Sequence, residues 1–430
     1  MGKKILFTAI SMCFYIVAFS QNNDALKDSF SDAEYYILYE DYPEALALYL
    51  KLHNDGMDNA YIKHRIGECY LQISGQKENA IPFLEDACKQ LSKDIKEGSF
   101  KETKAPYRTL FYLACAYQTN NELDKAISTF KKFEELVSAR KNYNIEYVYK
   151  QIQSCNAAKE LISNPRRITE INIGPYVNDQ YPNMRPAISG NEKTMVYQTS
   201  LKFYDAIFYT IKDSNEWAPP INITPDINSE GTFYPCFLSE NGTTLLLYKE
   251  DNFNSDIYIS KLEGLRWTAP KKLNKNINSR YHETFASLSS DGKTIYFVSD
   301  RKGGLGGTDI YKCHFDHKTN DWGVAVNMGI EINTPFNEET PVICQDSKTL
   351  YFSSEGHYNM GGFDIFYSRN IEGNVWSEPI NMGYPVNSTD DNLFYYPVGE
   401  GEKAYIAKYD RDGFGQEDIV RLELINSTQP

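Results

Sequence analysis

His282 and Glu283 begin a run that would hold zinc in a peptidase if a second histidine stood three places beyond the glutamate. Ala286 stands there instead, so the ligand pair is broken. His314 and His317 are three apart in a strand-turn region with no third ligand nearby, and they read as an exposed pair. The glycines from Gly303 to Gly307 lead into a strand pattern and lack the order of a phosphate-binding loop; a hairpin loop is expected. Asn252, Asn254 and Asp256, and again Asp410 and Asp412 before Gly413, carry part of a calcium-loop pattern without its full spacing or its closing glutamate. There is no Gly-x-Ser-x-Gly elbow. No catalytic, metal or cofactor site is therefore expected from local motifs.

The polar and aromatic residues that do recur are spaced for architecture. Trp217, Trp267, Trp322 and Trp376 are 50, 55 and 54 residues apart. Asp256, Asp309, Asp364 and Asp418 each open an Asp-Ile run, with Asp205 as a looser fifth. Asn178, Asn228, Asn278, Asn333 and Asn387 keep the same step. A period near 50 residues means one supersecondary unit copied in series. Ser289-Ser290-Asp291-Gly292 before the alternating run Thr294 to Phe297 is a hairpin signal, with counterparts from Ser189, Ser239, Gln345 and Gly399. Four short strands per copy describe a propeller blade. Ile171 to Asn178 matches Ile380 to Asn387, so residues 165–425 begin with the last strand of a blade and end where that strand is missing. Five blades closed by an N-terminal strand are predicted. In each, the Trp ring packs on a neighbouring blade and the Asp ties a turn.

Residues 24–163 carry a different, helical repeat. Ala33, Tyr36, Ala45, Tyr49 and Leu52 have offsets of 3, 9, 4 and 3; Ala114, Tyr117, Ala126, Phe130 and Phe133 have the same offsets. Gly67, Tyr70, Ala80, Leu84 and Ala87 match with one extra turn residue. Small residues let antiparallel helices approach, and large ones fill the groove beside them. An insertion is placed at Lys93 to Lys104, and a helix from about Ile145 to Ile162 is expected to cap the stack.

Residues 1–20, with Lys3 and Lys4 before an apolar run and Ala18-Phe19-Ser20 at its end, read as a secretory signal peptide. No later stretch reaches the ~20 apolar residues of a membrane-spanning helix. The formal charge of −14 argues against nucleic acid and against docking on anionic lipid. Seven cysteines beyond the leader form no CxxC pair, and four fall in helical patterns, so buried thiols are expected in place of a disulfide framework.

The helical repeat resembles the tetratricopeptide (TPR) family, whose unit is a 34-residue helix-turn-helix. That resemblance implies a concave peptide-binding face here made of Tyr61, His64, Glu68, Arg108 and Gln118. The run Ser289 to Tyr311, and less closely Gln345 to Tyr367, resembles the WD40-like β-propeller repeats of the TolB type. The order of leader, TPR repeats and such blades is similar to envelope proteins of Bacteroidetes-type bacteria, some associated with type IX secretion. Such relatives often continue into an OmpA-like peptidoglycan-binding domain, to which nothing here corresponds. The resemblance implies a non-enzymatic protein–protein interaction scaffold, in the periplasm, on the periplasmic side of the outer membrane or at the cell surface, with other envelope proteins as partners. Tyr and Asn richness suits a second reading, glycan or peptidoglycan-fragment binding on a propeller face. A third, an active site assembled from several blades around the channel, stays open.

Overall fold

A computed structural model of the protein describes residues 23–138, 140, 143–214, 216–250 and 254–425; the leader and Asn252 lie outside them. The chain divides into two compact units, Met1–Ile152 and Gln153–Pro430.

The first unit is helical: α1 (23–38), α2 (Tyr42–Asn54), α3 (Ala60–Gln72), α4 (Ala80–Ala87), α5 (Arg108–Thr119), α6 (Leu123–Val137) and the start of α7 (Ile145–Ser163). From α2 to α6 each helix packs on the next. Asn59 caps α3, its side chain accepting from the Ile62 amide at 3.1 Å. Gly67 permits the closest approach: a Cβ there would lie 2.4 Å from Leu84 Cγ of α4. Between α4 and α5 the chain runs through a two-residue parallel pair, Leu91–Ser92 with Ala105–Pro106. The division between the units falls inside α7, so its last turns belong with the second unit, where Ser154 donates to Asn359 at 2.5 Å.

The second unit is a five-bladed β-propeller. The innermost strands, Asn183–Ile188, Phe233–Leu238, Glu283–Leu288, Glu338–Ile343 and Tyr396–Val398, each pair with a second strand and that with a third. In blades one to four the outer edge consists of two short segments after the third strand, the first of them ending in the repeated Trp. In the fifth sheet Ile168–Asn172 takes that edge, antiparallel to Glu417–Leu424 with Asn172 opposite Val420. The hairpins are made by side chains: Ser289 Oγ donates to Asp291 and accepts from the Thr294 amide, while Gly292 supplies the left-handed residue at φ +67°.

The repeated residues hold this scheme together. Trp217, Trp267 and Trp376 are buried, each edge-on to a Tyr of the preceding blade at about 6 Å (Tyr405, Tyr209 and Tyr296). Trp322 is only half-buried and packs on Phe315 of its own blade. Asp309, Asp364 and Asp418 accept from backbone amides of the loop before them and from an Asn amide at the outer edge; Asp256 pairs with Lys272 at 2.6 Å. Asn278, Asn333 and Asn387 bond both the N–H and the C=O of the Ile after that Asp, as Asn178 does to Ile419, and so complete a strand edge whose carbonyl alone is reached by a backbone amide, from Leu273, Met328 and Met382. The glycine-rich run is a loop folded onto Asp309, whose carboxylate accepts from Leu305 and Gly306. The seven described cysteines are all free thiols.

Candidate functional site: the channel mouth

Each of the first four inner strands slips register by one residue against its partner, a β-bulge that turns a side chain toward the channel. Arg185, Phe285 and Thr340 take left-handed backbone there, with φ of +53°, +38° and +50°, and Phe394 does so at +60° just before the fifth strand. That conformation costs about 1 kcal/mol or more for a residue other than glycine, and it persists where the surroundings over-determine it. The matching residue of the second blade is Pro235, whose ring excludes a positive φ.

These residues converge. The Arg185 guanidinium lies 4.5 Å from the Tyr234 ring centre, 5.0 Å from Phe394, 5.6 Å from Tyr248 and 5.7 Å from Phe285. The rings pack on one another as well, Tyr234 stacked on Tyr248 and Phe285 edge-on to it, both at 4.9 Å. One Arg185 nitrogen, Nη1, donates to the Tyr248 hydroxyl at 2.5 Å, while Nε is buried without an acceptor. Among the described residues no carboxylate forms an ion pair with Arg185, so its charge is offset only by ring faces.

The fourth blade contributes a carboxyl of unusual basicity. Burial pushes Glu339 up to about 8, aided by Glu355 and Glu338 and opposed by Thr308 and Arg185. Its Oε2 is buried and unpartnered. Glu338 is pushed up to about 7 by burial against hydrogen bonds from Thr334 and Ser354. Arg185 is thus a fixed cation in a blade ring whose fourth member carries acids of raised basicity. Burial also pushes the Cys236 thiol up to about 12, which keeps it protonated and poorly nucleophilic.

Arg185, Pro186, Pro235, Phe285, Pro341 and Phe394 are among the walls of a small recess of about 20 Å³, open on one side. Its far end is stopped by Tyr396, which crosses from the fifth blade to the second and bonds both the N–H (3.1 Å) and the C=O (3.2 Å) of Leu238. A separate recess of about 40 Å³, lined by Leu238, Ile343 and Gln345, lies beyond it.

The helical residues expected to form a groove are placed differently from one another. Tyr61, His64 and Gln118 are buried. Tyr61 donates to Glu34 and accepts from the Gly98 amide; His64 stacks on Tyr112 at 5.6 Å and meets Thr109 at 3.1 Å. Burial, with Arg108 and Arg65 nearby, holds His64 well below its ordinary value and hence neutral. These three have no surface to offer a partner in this conformation, because in this packing the inner side of the first helices is core. Glu68 and Arg108 keep part of theirs, Glu68 accepting from Arg65 and Tyr112, and Arg108 paired with Glu97 at 2.7 Å. His314 and His317 have separate partners, Thr294 and Phe315. Among the described residues no group of three or more His, Cys, Asp and Glu could hold a metal ion, and no helix is long and apolar enough to cross a membrane.

No family model matches the sequence, and no curated protein matches it, so the TPR and secretion-associated resemblances gain no sequence-level support there. Solved structures do match. TolB from Acinetobacter baumannii is 15% identical with a TM-score of 0.40, over 60% of this chain and 63% of that one. The chain therefore spans less than two thirds of that protein. The α-L-arabinofuranosidase PaAbf62A from Podospora anserina, solved with cellotriose, is 13% identical at 0.39, over 61% and 98%. The catalytic domain of the Coprinopsis cinerea GH62 α-L-arabinofuranosidase is 12% identical at 0.40, over 62% and 100%. Likeness at this level says nothing of shared chemistry.

Proposed function

We propose that the protein is an exported binding scaffold of the bacterial envelope, in which the propeller engages one partner at its channel mouth and the helical unit engages another. The observation that carries this reading is the convergence of side chains from the second, third and fifth blades on a first-blade guanidinium that has no carboxylate of its own. A cation held in strained backbone among four rings is costly to build and serves a site better than a core. We read the helical unit as a TPR stack whose partner-facing residues include Glu68 and Arg108. Tyr61, His64 and Gln118 then set the shape of the helices behind that face. We also infer that the pairing of Ile168–Asn172 with the last blade is the clasp of the ring, leaving no open sheet edge there.

Crosslinking affinity capture of the tagged protein from envelopes, wild type against Arg185→Gln, tests the propeller's part. A stoichiometric partner lost from a folded Arg185→Gln variant supports it. A partner retained undiminished, or none at all, removes it.

One observation favours a second reading, glycan hydrolysis: Glu339 has a buried, unpartnered Oε2, and burial pushes the carboxyl up to about 8, the direction a general acid needs. Release of sugar from aryl glycosides or cell-wall polysaccharide, abolished by Glu339→Gln, would establish it in place of the scaffold.

A further inference from the structure

The shape and charge of the channel mouth narrow what it accepts. We propose that it takes the free C-terminal carboxylate of a peptide with an apolar last residue, held by the Arg185 guanidinium while the side chain lies against the apolar walls at the opening of the recess. This rests on the binding-scaffold reading and names the ligand of that same site.

Three features point to this chemistry. First, a guanidinium has five N–H donors, of which Tyr248 takes one and Nε has lost water without gaining a partner. A carboxylate accepts two parallel N–H bonds and supplies the missing charge. Second, the walls are mostly apolar: Pro186, Pro235, Phe285, Pro341, Val342 and Phe394 leave the unpartnered Tyr395 hydroxyl as the main polar group besides Arg185. The ring faces on which a sugar would stack are covered by the guanidinium and by each other. Third, the recess is a dead end. Tyr396, fixed to both backbone groups of Leu238, stops a chain from threading the channel, so what enters is an end. Glu339 fits the same reading, since an uncharged carboxyl on the fourth blade does not repel an incoming carboxylate.

The test uses the whole mature chain against an array of peptides randomised over their last three residues, made once with free C termini and once as C-terminal amides. Free carboxylates ending in apolar residues are expected to bind, and the amides to bind about 10- to 100-fold more weakly, the loss of a charge-assisted pair. Arg185→Gln should lose the same factor for free carboxylates and little for amides. Arg185→Lys, which keeps the charge without the planar fork, should fall between. A thermal melt of each variant separates lost binding from lost fold. Equal binding of acids and amides overturns the proposal, as does an array with no binder. Binding of glucuronate or an acidic glycan in place of peptides overturns it in favour of a sugar acid. If the array is silent while envelope capture still yields a partner lost in Arg185→Gln, the scaffold reading stands and only the carboxylate proposal falls.

Discussion

Asn387 and Asn228 occupy the same phase of the repeat, and the structure predicts opposite consequences of removing them. Asn387 has no exposed surface. Its Oδ1 accepts from the Ile365 amide at 2.7 Å, and its Nδ2 donates to the Ile365 carbonyl at 2.9 Å and to Asn381 at 2.8 Å. Ile365 is itself buried, so Asn387→Ala leaves the Ile365 N–H stranded where water does not reach, while its carbonyl keeps the Met382 amide at 3.0 Å. Such a stranded group costs about 1–3 kcal/mol, which puts the variant at about 2 kcal/mol less stable. For a body the size of this propeller, that is a fall of ~4–8 °C in melting temperature. At Asn228 the corresponding job is done by another residue. The Ile207 amide donates to Thr224 Oγ1 at 2.8 Å, and Asn228 is turned out to solvent at φ +49°. Asn228→Gly keeps that backbone accessible and should change the melting temperature by less than about 2 °C. Scanning calorimetry of the two variants and the wild type makes the comparison. Equal losses at both positions, or an Asn387→Ala loss below about 1 kcal/mol, would refute the claim that the side chain substitutes for a strand neighbour.

Asn178→Ala removes the same three bonds from Ile419 and Asn172, so its direct cost should be at least that of Asn387→Ala. If Ile168–Asn172 is the clasp, amide exchange should also speed up throughout Glu417–Leu424; unchanged exchange there would dismiss the clasp. Gly67→Ala gains helix propensity but drives a methyl into Leu84, for a net loss of about 1–3 kcal/mol that Leu84→Ala should partly restore. Gly67→Ala melting at or above the wild-type temperature would contradict the packing. Glu339 is more basic folded than unfolded, so its stabilising contribution is complete below about pH 4.5 and is lost as pH rises through about 8. Melting temperature should therefore fall from pH 5 to 8 more steeply in the wild type than in Glu339→Gln, and parallel curves would exclude the shift.

The architecture of the propeller was legible because its ties are local and repeated. An Asp before an Ile, an Asn some twenty residues on and a Ser before Asp-Gly act through bonds within one blade, so each copy repeats the same letters. Asn228 shows the limit of that reading. The letter persists while Thr224, four residues earlier, has taken over its bond. The helical third was legible to the level of its packing pairs, Gly67 against Leu84 among them, but not to the level of a face. Tyr61 and His64 are polar enough to suggest a surface, yet Glu34, Gly98, Thr109 and Tyr112 meet them inside. Those partners lie 27 to 48 positions away on other elements, and one of them is in the insertion between α4 and α5.

The channel mouth was illegible for the converse reason, and that reason bears on its role. The bulge that aims a residue inward is a property of the repeating backbone, but the residue it aims is not: of Arg185, Pro235, Phe285, Thr340 and Phe394 only the two phenylalanines agree. Two positions earlier the strand carries Asn183, Glu283, Glu338 and Asn392, each holding a turn through bonds to nearby Ser, Thr or backbone groups. A position whose side chain is needed for the blade is bound to repeat. One that merely faces the axis is free to differ, because each blade contributes a single residue to a shared ring. Variation inside an otherwise periodic strand therefore marks where the five copies act together. Here the first, second, third and fifth meet at a guanidinium that lacks a carboxylate.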